Sequence, residues 1–570
     1  MLPLGDPRRR LTLGFAVVCV LLVVLGGRLV QLQGIDRTKL AAAATKQLTA
    51  PTVIPAVRGR ILDRDGRVLA YTTGARTIVA YPTQVKDAAK TAAALAPLLG
   101  KPAAELESML RRHTTYVRLA RDLTPTQAAR VLALKMAGIG SEDTPQRIAP
   151  SADAAAVVGF TSRDGVGLAG IELQYDKQLA GKPGKLVVET GEQGQVIPSG
   201  PRQETAAVDG SSVRLTILED LQYEVQRTLA AAVSETGAKG GQVVVLDART
   251  GQVLAMASVP VYDTQNPVTG TVPNPPVQAM FEPGSANKVV TFAGALDRGI
   301  ITPETVLEVP GSIQVADRVI HDAWSHGIVK YTAAGVLAKS SNVGTLMIAQ
   351  RLGGPTFYDY ERKFGIGTRS GIELPGEIPG RLPAPSQWSG STFGNLPIGQ
   401  GVSMTALQLA SMYQTIANDG VRVPPSIVQE IDAPDGTVTR TPARTGIRVV
   451  STAAARTVRL MLEAVTQKGG TAPSAAIDGY RVAGKTGTAQ KINPHCGCYS
   501  NGGYWATFAG ITPADDPQFV VSVVIDDAKG GLHGGAVAAP VFKTVASYAL
   551  AQRGVAPTGT ASPKFQLTLG

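Results

Sequence analysis

Three consecutive arginines, Arg8–Arg10, stand before an uncharged apolar run from Leu11 to Gly27. Carried past Arg28 to Leu32, the run reaches about 20 residues, the length a helix needs to cross a hydrocarbon core of about 30 Å. Such a segment admits only a helix, because lipid offers backbone N–H and C=O groups no hydrogen bonds. Basic flanks stay in the cytoplasm, so residues 1–10 are expected as a cytoplasmic tail and 11–32 as a transmembrane anchor. Everything from residue 33 onward is then extracytoplasmic, with Arg28 snorkelling to the far interface. The rival reading is a cleaved signal peptide using the small residues Ala41–Ala44. Arg28, Asp36, Arg37 and Lys39 intervene, and the apolar length suits a span better. No later stretch is apolar for about 18 residues, so a single span is expected.

The remainder of the 570 residues is too long for one core and calls for several units. A formal net charge of +11 over this length is weak evidence for a polyanion, and no nucleic-acid partner is expected. Three cysteines exclude a disulfide framework. Cys19 falls inside the span, whereas Cys496 and Cys498 fall outside it, where disulfides persist. His495-Cys496-Gly497-Cys498 looks like a fragment of a metal site, but no second Cys or His pair follows. No metal is expected there, and a Cys496–Cys498 disulfide or two free thiols both stay open.

Residues 33–217 read as a mixed pedestal. Asp65-Gly66 separates two short apolar stretches as a hairpin turn, and 87–138 reads as a helical insertion. Gly165–Gly170 fits G-x-G-x-x-G, yet it does not clearly join a buried strand to an amphipathic helix, so a dinucleotide site is rejected. The texture changes at Leu218. Asp220 is expected to cap a helix through Leu221, Val225, Leu229 and Val233, ended by Gly237. Strands follow at 242–247 and 253–257, helices at 286–298, 332–352 and 403–418, strands at 480–486, 504–511 and 519–525, and a last helix at 540–551. This pattern predicts an α+β domain over 218–553, a central antiparallel sheet flanked by helices. The Thr/Pro/Gly-rich tail, 554–570, is expected to be disordered.

Three short motifs lie in this second half. Ser285-Ala286-Asn287-Lys288 opens an apolar helix; at i and i+3 its serine and lysine share one face, within reach of each other. Burial and a second cation would depress the lysine enough for its amine to serve as a base. Free N–H groups at the helix start suit a developing oxyanion. Ser340-Ser341-Asn342 lies in the predicted 332–352 helix, and Lys485-Thr486-Gly487-Thr488 at a strand end, where hydroxyls beside a lysine suit a carboxylate. Singly these read as a solvated helix lysine, a helix cap and a turn. In this order they form the S-x-x-K, S-x-N, K-T-G set of penicillin-interacting serine enzymes.

The chain resembles a class B penicillin-binding protein of the FtsI-like division branch. The likeness includes Arg58–Arg64, Gly170–Asp176, Phe364–Gly367 with Gly371–Glu377, Ala483–Gln490, and Gly534-Gly535 with Ala538–Phe542. It implies a pedestal (dimerisation-like) domain and a serine β-lactamase-like transpeptidase domain. It implies Ser285 as the nucleophile on the D-Ala-D-Ala carbonyl of a stem peptide, Lys288 as the base, and Ser340 as the relay to the leaving amine. Asn342 would hold the substrate amide, and Lys485 would keep the field positive. Thr486, Gly487 and Thr488 would line the substrate site, with the two threonines holding the terminal carboxylate. The N–H groups of Ser285 and Thr488 would form the oxyanion hole. β-Lactams would acylate the same serine, and no cofactor is implied. Ala286-Asn287 departs from the family, where Thr and an apolar residue are more usual.

By the same resemblance, the partners are peptidoglycan stem peptides, a SEDS-family (FtsW-like) glycosyltransferase and other divisome membrane proteins, with the enzyme at the division septum. The alternatives are an elongation-type transpeptidase, a β-lactamase or carboxypeptidase on the same fold, and a non-enzymatic scaffold for a membrane glycosyltransferase. None of the five histidines is placed as a base; of His321, His326 and His533, the last is the one to test.

Overall fold

The computed structural model describes residues 7–40, 49–189, 197, 199–200, 202–261, 274–493, 496, 498–499 and 503–569. Ala41–Ala44, His495, Gly497 and Gly570 lie outside the described residues. The chain divides into two compact units, residues 1–57 with 181–209, and residues 58–180 with 210–570. The first holds the apolar helix, Pro7–Val30, which continues through a π-helical turn, Gln31–Ile35. An 18-residue window within Pro7–Ile35 has a mean hydropathy of 2.5 and none of it is covered by protein, so the helix is long and apolar enough to span a membrane. The same unit has a three-stranded antiparallel sheet with Gly184–Glu189 between Thr49–Ile54 and Arg202–Thr205.

The expected boundary at 217/218 does not coincide with this division, and the strand pairing gives the reason. Ser212–Leu215 runs parallel to Ile61–Leu62 on one side and antiparallel to Val428–Asp432 on the other. One sheet therefore carries the backbone of the pedestal head into the catalytic half. Ile61–Leu62 pairs with Val68–Ala80 across the Asp65-Gly66 turn. The 87–138 insertion contains helices Ala88–Leu99, Ala103–Leu110 and Pro125–Leu132, but also strand Val117–Leu123, paired with Val68–Ala80. Its buried and exposed residues do not alternate strictly, and its pairing carries register shifts, so the helical reading missed the strand.

Two family stretches meet inside this head. Arg58 Nε lies 2.7 Å from Glu172 Oε2, and Arg147 Nε 2.6 Å from Glu172 Oε1. Arg58 Nη1 also reaches Asp176 at 2.8 Å and the Gly165 carbonyl at 3.0 Å. The Gly165–Gly170 loop is thus an arginine-held turn.

The catalytic half is built on a five-stranded antiparallel sheet. In chain order its strands are β1 (Gly240–Asp247), β2 (Val253–Val259), β3 (Ala483–Gln490), β4 (Tyr504–Thr512) and β5 (Phe519–Asp526). Their spatial order is β2-β1-β5-β4-β3, which leaves β3 on an edge. Strands β1, β2 and β5 are largely apolar because helices cover both faces, whereas β3 carries the K-T-G-T motif. The helices that matter here are α1 (Glu219–Thr236), α2 (Lys288–Asp297), α3 (Ala333–Lys339), α4 (Asn342–Leu352), α5 (Gly354–Lys363), α6 (Ala406–Ala417), α7 (Thr452–Thr466) and α8 (Gly534–Gln552).

Three sequence expectations need correction. Helix α1 is not capped by Asp220, which lies in its first turn; Asp63 Oδ2, distant in sequence, accepts the Glu219 N–H at 3.2 Å. The helix expected over 332–352 is two helices, broken at Ser340. The tail is not disordered: Thr568–Leu569 pairs with Val329–Thr332, and Val555, Phe565 and Leu567 pack on the main core. A Thr/Pro/Gly count overlooks that a few spaced apolar side chains on extended backbone suffice to dock a segment.

Candidate active site

Gly284 takes φ +55°, a conformation that costs glycine nothing, and opens a 3-10 turn, Gly284–Asn287, that runs into α2. Ser285 is half-buried on this turn while its neighbours are buried. Any Cβ at Gly487 on edge strand β3 would overlap Pro283 O and Thr507 Oγ1, so glycine lets strand and turn lie against each other. The K-T-G-T motif sits inside β3, not at a strand end as expected. Lys485 Nζ donates to the hydroxyl of its neighbour, Thr486 Oγ1, at 3.3 Å. Thr486 Oγ1 pairs with Thr471 Oγ1 at 2.8 Å, and Thr488 Oγ1 accepts the Gly534 N–H at 3.4 Å.

The second motif owes its geometry to the broken helix. Ser340 adopts φ +62°, a left-handed conformation that costs a non-glycine residue about 1–2 kcal/mol. Ser341 then caps α4, its Oγ accepting from Gly344 N at 2.9 Å. The break turns the Ser340 carbonyl and hydroxyl toward α2. Lys288 Nζ donates to Ser340 O at 2.6 Å, to Asn342 Oδ1 at 2.8 Å and to Ser340 Oγ at 3.3 Å. Lys485 Nζ donates to Ser340 Oγ at 2.9 Å and to Thr486 O at 3.1 Å. Lys288, Ser340, Asn342 and Lys485 therefore form one hydrogen-bonded cluster beside Ser285. No hydrogen bond joins Ser285 to Lys288 among the described residues, and such contacts commonly tighten only when substrate binds.

Both lysines are fully buried without a carboxylate in hydrogen-bond reach. Burial lowers Lys288 to about 7, with Asp322 opposing. Burial, reinforced by the charge of Lys288, drives Lys485 well below the ordinary lysine value. A neutral Lys288 has two N–H bonds for Ser340 O and Asn342 Oδ1 and a lone pair left to take a proton. Lys485 donates to Ser340 Oγ at 2.9 Å, while the Lys288 amine lies 3.3 Å from the same oxygen, close enough to exchange a proton with it.

Sequence reasoning missed Asp322. Its buried carboxylate accepts from Asn342 N at 2.5 Å, Val343 N at 3.1 Å and Ser341 Oγ at 2.7 Å, anchoring the start of α4. His326 Nε2 lies 3.0 Å from Asp322, and the ring stacks on Trp324, so His326 is a structural histidine. His321 contributes its carbonyl to Asn342 Nδ2 at 2.9 Å. His533 is exposed and precedes α8. No motif flags Asp322; its only sequence signal is an acid before a predicted helix, a common pattern.

Cys496 and Cys498 form a disulfide, which settles the open choice and occupies both sulfurs against the metal reading. The next residue, Tyr499, donates its hydroxyl to Glu282, 3.0 Å from each oxygen. Glu282 lies close before Ser285 in the chain, so this loop packs at the rim of the site.

A serine on the first turn of a buried helix, two carboxylate-free lysines behind it and an edge strand alongside define the serine acyltransferase class. Residues 241–547 match the penicillin binding protein transpeptidase domain and residues 53–215 the penicillin-binding protein dimerisation domain. The chain belongs to the penicillin-binding protein transpeptidase family. It is 43% identical to penicillin-binding protein PbpB of Mycolicibacterium smegmatis, over 97% of this chain and 92% of that one. It is 35% identical to the peptidoglycan D,D-transpeptidase FtsI of Escherichia coli, over 95% of this chain and 92% of that one. Among solved structures, penicillin binding protein 3 from Mycobacterium tuberculosis complexed with ampicillin superposes with a TM-score of 0.73 at 40% identity. That match covers 91% of this chain and 100% of the other.

Proposed function

We propose that the chain is a membrane-anchored peptidoglycan D,D-transpeptidase that cross-links stem peptides during septal wall synthesis. Ser285 attacks the D-Ala-D-Ala carbonyl while Lys288 takes its proton. Ser340 relays that proton from Lys288 to the D-Ala amine as its C–N bond breaks, and Asn342 holds the peptide amide. Lys485 keeps the field positive for the terminal carboxylate at Thr486 and Thr488, and edge strand β3 leaves room for the peptide to lie alongside. The oxyanion is placed at the N–H groups of Ser285 and Thr488. An amine of a second stem peptide then displaces Ser285, and β-lactams acylate the same serine. The observation that carries this reading is the carboxylate-free burial of Lys288 against Ser340 and Asn342, which lowers the amine to about 7 and so leaves a substantial share of it neutral near that pH.

The arginine-flanked helix supports an extracytoplasmic catalytic domain, and the likeness to FtsI favours the septum over the sidewall, with an FtsW-like glycosyltransferase and other divisome proteins as partners. Intact mass after ampicillin treatment tests the chemistry: one covalent adduct is expected, mapping to Ser285 and absent in Ser285→Ala. An adduct that persists in Ser285→Ala rejects the assigned nucleophile. A tagged copy lining the sidewall without septal enrichment rejects the division role in favour of elongation.

A further inference from the structure

Asn287 ends the turn that carries Ser285, and its side chain is fully buried against Glu361 of α5, which is fully buried too. Asn287 Nδ2 donates to Glu361 Oε1 at 2.5 Å and to Leu396 O at 3.2 Å. The other two oxygens of the pair, Asn287 Oδ1 and Glu361 Oε2, have no hydrogen-bond partner among the described residues. Buried acceptors left unmade are costly, and a buried carboxylate without a cation costs more. One proton on Glu361 Oε2, directed at Asn287 Oδ1, gives both orphaned acceptors a partner. The result is an acid–amide ring: N–H to the acid carbonyl, O–H to the amide carbonyl.

No charge nearby offers another solution. On α2, Lys288 is engaged with Ser340 and Asn342, and Asp297 accepts from Tyr360 Oη at 2.6 Å and Ser451 N at 2.7 Å. Arg351 of α4, and Asp359, Arg362 and Lys363 of α5, are exposed, and the 385–398 segment packed against α5 has no titratable side chain. Arg422 gives its Nε to the Lys363 carbonyl, and Tyr413 of α6 donates its hydroxyl to Ala286 O at 2.9 Å, holding the turn from its other side.

We propose that Glu361 is held as a neutral carboxylic acid, paired edge to edge with the Asn287 carboxamide, and that this pair positions the turn bearing Ser285 and Lys288. Ionisation of Glu361 removes the O–H that Asn287 needs and places an unpaired charge beneath the turn, so acylation declines. Burial raises the Glu361 carboxyl to about 8, with the Asn287 bond opposing, which puts the decline just above neutrality. The assignment rests on Ser285 and Lys288 being the nucleophile and base.

The test is the second-order rate of acylation of the full chain by a fluorescent penicillin, followed across pH for wild type, Glu361→Gln and Glu361→Leu. Glutamine reproduces the donor and acceptor of a neutral acid and cannot ionise. Wild type is expected to rise through about pH 7 with Lys288 and fall above about pH 8. Glu361→Gln is expected to keep the neutral-pH rate within about twofold and lose the alkaline fall, while Glu361→Leu drops about tenfold at every pH. Loss of the rate in Glu361→Gln, or an unchanged alkaline fall in that variant, overturns the proposal. An infrared difference spectrum of wild type minus Glu361→Gln at neutral pH reads the proton directly: a protonated-carboxyl C=O band is expected, and its absence overturns the proposal without reference to activity. A band present in a wild type that forms no adduct leaves the acid–amide pair standing and rejects the nucleophile assignment instead.

Discussion

Two of the places where this protein buries cations treat them oppositely. In the head, Arg58 and Arg147 share the carboxylate of Glu172, itself 1% exposed, and each arginine has a hydrogen-bonded counter-charge. In the active site, Lys288 and Lys485 meet only hydroxyl, carbonyl and carboxamide oxygens. Paired guanidinium groups keep their charge and cross-link the Arg58–Arg64 and Gly170–Asp176 stretches. Lysines buried without a partner lose theirs, which makes one of them able to accept a proton. The chemistry of the partner atoms, more than burial itself, separates a structural cation from a reactive amine.

The largest effect expected from breaking this contrast is at Lys288. Lys288→Met should lower the β-lactam acylation rate by about 10²–10⁴-fold, the range of a lost general base, measured by stopped-flow with a fluorescent penicillin. The same variant has a stability signature. The folded state holds Lys288 at about 7 against an ordinary 10.5, so the unfolded chain binds more protons between those values. Wild-type stability should therefore rise with pH from about 7 to about 10.5 relative to Lys288→Met, read from denaturant midpoints.

Glu172→Gln strikes the other site. It leaves two arginines buried against an uncharged amide and should cost about 3–5 kcal/mol of stability, while the acylation rate per folded molecule stays unchanged. An activity loss exceeding the loss of folded protein would mean the two sites are coupled. Asp322→Asn sharpens the comparison with a smaller effect, since it weakens the anchor of the Ser341–Asn342 backbone without touching either lysine. It should cost about 1–3 kcal/mol and slow acylation about tenfold, with the Lys288-dependent rise moved to lower pH because the Asp322 charge that raises Lys288 is gone. Least of all, Arg249→Ala removes an exposed ion pair with Asp516 and should leave stability within about 1 kcal/mol and acylation unaltered.

Much of the active site was legible in sequence because helix and strand periodicity are local. The i, i+3 spacing of Ser285 and Lys288 on a helix start, the β3–β5 strands and α8 all follow from short-range pattern. Asp322 and Glu361 were not legible, because an acid's role depends on which backbone donors or orphaned amides the fold brings to it. The docked tail and the strand Val117–Leu123 were misread because their partners lie far along the chain.

By itself, then, the sequence determined the apolar N-terminal helix, the antiparallel α+β core and the identity of the three motifs. Those depend on residue type and spacing over one or two turns. Only the tertiary structure decided that the 332–352 helix breaks at Ser340, that Lys288 and Lys485 converge on that serine without a carboxylate, and that Asp63 caps α1 from far along the chain. Those depend on desolvation and on hydrogen-bond partners remote in sequence, which exist only once the sheet and its helical layers have closed around them.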